Sequence, residues 1–128
     1  LTTTLGAIAA LTLASFAAQA ADVAVSCEKR SNRSRASVDG NNLADGSYRA
    51  IVSSGGVRVA SGFQSADGDE AEFDFDSNPA DIAAGAQAIG NNFIVGGAVQ
   101  AALFDSAGQM VVGPVSASCR VRSPIKSR

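Results

Sequence analysis

The chain has 128 residues, no histidine, no tryptophan, one tyrosine and a formal net charge of −2. Without histidine there is no Ser–His–Asp relay and no usual base for a cysteine nucleophile, and the few aromatics offer no stacking platform for bases. The expectation is a non-catalytic protein with no sequence-specific nucleic-acid binding.

Residues 1–20 carry no charge. Leu5 to Phe16 form an apolar run, and Ala18-Gln19-Ala20 matches an A-x-A exit pattern, so residues 1–20 read as a cleavable signal peptide and Ala21 as the mature start. The run is short for a bilayer span and no second one follows, so no transmembrane segment is expected in the mature chain. What remains, residues 21–122, is enough for one domain, with residues 123–128 as a C-terminal tail.

The first predicted strand, A-D-V-A-V-S-C, places Val23, Val25 and Cys27 on one face. Near the other end, Val115, Ala117, Cys119 and Val121 share a face, with Ser116, Ser118 and Arg120 opposite. Both cysteines therefore point inward, and export to an oxidising compartment makes a Cys27–Cys119 disulfide the expected use of the pair.

Between them, alternation predicts strands over Ser34–Val38, Ser47–Val52, Val57–Phe63, Glu70–Asp76, Phe93–Phe104 and Gln109–Val115. Turn signals separate them at Asp39-Gly40-Asn41-Asn42, Ser53-Ser54-Gly55-Gly56, Ala66-Asp67-Gly68 and Asp105-Ser106-Ala107-Gly108. In Leu43-Ala44-Asp45-Gly46-Ser47-Tyr48 the only tyrosine opens a strand just after a turn, which resembles the tyrosine corner of immunoglobulin-like and fibronectin-type sandwiches. Asn78-Pro79-Ala80-Asp81-Ile82-Ala83-Ala84-Gly85 breaks the pattern: an N-cap Asn, Pro at the first helical position and an exit Gly predict a short helical turn near 79–84, crossing between sheets. The fold expected is an all-β, antiparallel immunoglobulin-like or fibronectin-like β-sandwich.

Acidic residues crowd 67–81. On a strand, Glu70, Glu72, Asp74 and Asp76 alternate with Ala71, Phe73 and Phe75, which sends the phenylalanines into the core and the carboxylates to water, about 6.6 Å apart. That spacing is too wide for one strand to wrap a calcium ion, which needs six to eight oxygens at about 2.4 Å. Only the turn at Asp67, Asp69 and Glu70, with Asp81 as a neighbour, could converge on calcium, and it lacks the register of an EF-hand loop. A solvated tip and no cofactor is the first expectation there, with calcium the alternative. Asp81 itself is expected to serve the helix backbone.

Charge is unevenly distributed. Residues 21–35 carry a net +2, residues 119–128 a net +4, and residues 36–118 a net −8. The disulfide would gather Lys29, Arg30, Arg120 and Arg122, with Arg33 and Arg35 adjoining, into a basic zone. Such a molecule could take a protein partner, dock on a second copy, or hold an anionic envelope polymer. Asn32-Arg33-Ser34 matches a glycosylation sequon, a pattern that also occurs by chance. The functional expectation is a binding or assembly module in the periplasm or outside the cell.

Overall fold

The computed structural model describes residues 20–123. Residues 1–19 of the expected signal peptide and residues 124–128 of the expected tail lie outside the described residues. The order of elements is β1 (Asp22–Arg30), β2 (Arg33–Asn41), β3 (Ser47–Ser54), β4 (Val57–Ala60), β5 (Gln64–Ser65), β6 (Ala71–Asp76), α1 (Pro79–Ala83), β7 (Gln87–Ala88), β8 (Ala98–Asp105), β9 (Met110–Ser118) and β10 (Arg120–Val121). The protein is all-β, with two sheets and one very short helix. One sheet runs β10-β1-β2-β6-β7; the other runs β4-β3-β8-β9, with β5 also on β3.

Alternation builds the core as the residue pattern requires. Ala36 and Val38 of β2 and Phe73 and Phe75 of β6 face inward from the first sheet, and Ala50 and Val52 of β3 and Val99 and Leu103 of β8 meet them from the second. Tyr48 is buried, and its hydroxyl donates to Ala44 O at 2.6 Å. The hydroxyl thus reaches back four residues and ties the β2–β3 loop to the strand it precedes. Cys27 of β1 and Cys119, just after β9, form the expected disulfide, with Cα atoms 4.6 Å apart across 92 residues of sequence. It joins the two sheets at the edge where β1 lies beside the end of β9.

Several expectations need correction. The strand anticipated over 93–104 begins only at Ala98, because Gly96 and Gly97 both take positive φ and make a tight turn bridged by Val95 and Ala98. The one over 57–63 breaks at Ser61, whose hydroxyl accepts from Ala50 N and replaces a strand partner, and the chain rejoins β3 as β5. Val121 is 70% exposed rather than inward, because β10 leaves the β9 line and pairs with β1 as a parallel strand. Helix α1 does not cross between sheets: it leads from β6 to β7, which pairs parallel to β6 in the same sheet. Among the described residues, no helix is long and apolar enough to cross a membrane.

Candidate functional site

The sheet formed by β10, β1, β2 and β6 has one face on the core and one face outward. Cross-strand register turns that outward face into a grid. Arg120 of β10 lies beside Glu28 of β1, Glu28 beside Arg35 of β2, and Arg35 beside Asp76 of β6. The next outward row is Ser26, Ser37 and Asp74; the one after it is Ala24, Asp39 and Glu72. Cations therefore gather at the β10–β1 corner and carboxylates at the diagonally opposite β6 corner. Small side chains occupy the middle.

At the basic corner one carboxylate holds several arginines. Glu28 receives Arg122 Nε at 2.8 Å and Arg30 Nη2 at 3.2 Å, and Arg35 Nη1 stands at 4.0 Å. Arg30 also donates to Ser123 O at 3.2 Å, Arg122 N donates to Lys29 O at 2.9 Å, and Lys29 Nζ donates to Arg30 O. Arg120 is exposed beside them. Arg30, Arg35 and Arg122 are thus gathered around Glu28, whose role residue order did not single out, with Arg120 beside it on the next strand, while Lys29 falls on the other parity of β1.

Arg33 departs from that group. Its guanidinium forks onto Asp76, with Nε to Oδ1 at 2.9 Å and Nη2 to Oδ2 at 2.6 Å, and Nη2 also meets Asp81 Oδ2 at 3.0 Å. Asp76 is 5% exposed, which corrects the expectation that it faces water: strand alternation points it outward, and Arg33 closes over it. Burial alone would push the Asp76 carboxyl up, but the bonds from Arg33 and from Asn78 N–H outweigh it and hold the group below the ordinary aspartate range. The same fork raises the Arg33 pKa through its bond to Asp76. Asp81 is also reassigned. Its carboxylate takes Arg33 and the Asn78 side-chain amide (2.6 Å) instead of capping the backbone, and Asn78 makes no side-chain cap.

At the acidic corner, no cation among the described residues pairs with Asp39, Glu72 or Asp74. Asp39 stands directly across from Glu72 in the β2–β6 ladder, a like-charge pairing that opposes sheet formation. Asp39 first, then Asp74, pushes the Glu72 carboxyl above its ordinary value. Asp74 accepts a hydrogen bond from Ser37 Oγ at 2.9 Å. The tip carrying Asp67, Asp69 and Glu70 is a tight turn bridged by Asp67 and Glu70, and Asp69 O accepts from Leu43 N at 2.9 Å. Asp39, Asp67, Glu70 and Glu72 border one open depression of about 530 Å³. Among the described residues, no three acidic, cysteine or histidine side chains are grouped so as to hold a metal ion, and Asp81 is engaged with Arg33 and Asn78.

The sequon serine, Ser34, is fully buried, with its hydroxyl donated to Asn91 O at 2.6 Å. Compared with family models, curated proteins and solved structures, the chain matches none of them.

Residue order alone could have revealed Glu28, because the tight Ser31-Asn32 turn between Arg30 and Arg33 forces Glu28 opposite Arg35. It could not have revealed Asp39 opposite Glu72, because those residues are brought together only by pairing between strands far apart in the chain.

Proposed function

We propose that this protein is an exported, non-catalytic β-sandwich of the immunoglobulin-like kind that works as a binding or assembly module in the periplasm or outside the cell. The observation that carries this reading is the outward face of β1, β2 and β6, with its opposite charges sorted to opposite corners around a centre of Ala24, Ser26 and Ser37. A sheet face with small residues near its middle and unlike charges at its ends suits docking on another macromolecule.

The fold assignment draws on strand order. One sheet holds β1, β2 and β6, the other β4, β3, β8 and β9, and the chain changes sheet between β2 and β3, between β5 and β6, between β7 and β8 and between β9 and β10. That order resembles the Greek key of immunoglobulin-like domains, while Tyr48 opens the third strand and not the strand that follows β6 and β7. Export is supported by the apolar leader with its A-x-A exit and by the disulfide. The absence of histidine from the sequence and the engagement of both cysteines in one bridge support a non-catalytic role.

In-situ cross-linking in the native envelope, paired with sedimentation of the purified protein at low and high salt, tests the reading. The expected result is a reproducible cross-linked partner or salt-sensitive self-association. A protein that stays monomeric at low salt and high concentration and cross-links to nothing sinks it.

A second reading, polyanion capture, is favoured by the cluster of Arg30, Arg35, Arg120 and Arg122, which outnumbers its single carboxylate Glu28. It predicts retention on heparin that falls when Arg120 and Arg122 are changed to Ser. Unchanged elution of that variant excludes it.

A further inference from the structure

Both charged zones lie on one sheet face, and that placement restricts how two copies could meet. Zones on opposite ends of a molecule would lead to open head-to-tail chains, whereas zones on one face permit a closed, two-fold pair. Resting on the assembly reading above, we propose that the outward face of β1, β2 and β6 is a self-complementary interface. Two copies meet face to face about a two-fold axis running diagonally across the grid, through Ala24, Ser37 and the Arg33–Asp76 pair.

The register specifies the contacts. Rotation about that diagonal exchanges the outward position of Asp74 with that of Arg35, and the position of Glu72 with the Glu28 cluster carrying Arg30 and Arg122. Asp74 of one copy therefore meets Arg35 of the other, Glu72 meets the arginines held around Glu28, and Asp39 meets the hydroxyl of Ser26. On the axis, Ala24 and Ser37 are uncharged, and Asp76 is bonded to Arg33, which it shares with Asp81. Ala24, Ser26 and Ser37 are short enough for the two sheets to approach closely, with strands crossing at a steep angle as in orthogonal sheet packing. The crowding of Glu72 by Asp39 and Asp74 within one copy is the strain that the partner's arginines would relieve.

The patch is small. Three strands about 4.8 Å apart and three outward rows about 6.6 Å apart span roughly 14 by 20 Å. That is at the low end for specific association, so the dimer is expected to be weak and rapidly exchanging. Charge dominates its contacts, so it should dissociate as salt rises from about 20 mM to about 300 mM and the Debye length falls.

The test is a charge exchange between two variants, Asp74→Lys and Arg35→Glu, read by sedimentation velocity at low salt. The wild-type protein is expected to show a concentration-dependent species whose mass stops at two protomers. Each variant alone is expected to be monomeric, since it sets like charges facing each other. An equimolar mixture is expected to regain the dimer, because both contacts of the mixed pair are then attractive. Regained association also shows that both variants are folded, and the milder Arg35→Gln should weaken the dimer without abolishing it. Wild-type mass that grows beyond two protomers, or dimers indifferent to both changes, overturns this interface while leaving self-assembly in place. A wild-type protein that is monomeric throughout overturns self-assembly as well, and the cross-linking experiment then decides whether a module with another partner survives.

Discussion

Two ion clusters on the same sheet are built in opposite proportion. Around Arg33 one guanidinium serves two carboxylates, Asp76 and Asp81; around Glu28 one carboxylate serves Arg30, Arg122 and, at longer range, Arg35. The first is closed, with side-chain exposures of 16% for Arg33 and 7% for Asp76, and its bonds form a planar fork. The second is open on one side, with Glu28 largely covered but Arg35 and Arg122 near half exposed, and it needs β10 alongside β1, next to the disulfide. A buried, forked pair is a structural clamp because removing one partner strands the other charge away from water. An exposed cluster is screened and individually weak, which leaves its charge free to act on something outside the molecule.

The largest effect should come from removing the disulfide beside the open cluster. Changing Cys27 and Cys119 to Ser is expected to lower stability by about 4–5 kcal/mol in the chain-entropy account, given the long loop the bridge closes. Denaturant titration under oxidising and reducing conditions measures it, and a variant as stable as wild type would show that packing alone joins the sheets. Next comes the clamp: Asp76→Ala should cost about 3 kcal/mol, with Arg33→Lys recovering only part of the stability lost on Arg33→Ala because an ammonium cannot fork. Equal behaviour of the two Arg33 variants would mean that charge alone, without geometry, holds β2 to β6.

By contrast, Glu28→Gln should shift stability by less than about 1 kcal/mol although it faces several arginines. A loss as large as that of Asp76→Ala would erase the distinction between the clusters.

The smallest effects concern pH. Asp76 is held below its ordinary pKa, so its contribution is present at neutral pH and is lost as pH falls through that lowered value. Glu72 is raised, so its contribution runs the other way, and stability falls as pH rises through its folded-state value. Glu72→Gln should therefore raise the melting temperature slightly at neutral pH and leave it unchanged in acid. Thermal scans across the acid range check both signs.

Much of the fold was legible from residue order. Alternation alone places Phe73 and Phe75 inside and Glu72 and Asp74 outside, and it turns both cysteines inward. The Pro79 helix start and the turn before Tyr48 were equally plain, because propensity and capping act over a few residues. Where a strand would end was harder to read. Paired positive-φ glycines at 96 and 97 look like any flexible stretch until a partner strand shows that they make a turn. The same period-two rule that placed Asp74 correctly misplaced Asp76, because it says which way a side chain points and nothing about which neighbour covers it.

By itself, then, the order of residues determined most of the strands and buried faces, the cysteine pair and the unequal distribution of charge, all consequences of local periodicity and sign. Only the tertiary structure decided which charges meet. Arg33 is captured by Asp76 and Asp81, Glu28 gathers the arginines, and Asp39 faces Glu72, because β2 lies between β1 and β6 in one particular register. That register follows from burying both phenylalanines of β6 against the facing sheet. A shift of one residue would turn Phe73 and Phe75 out to water and carry every carboxylate into the core.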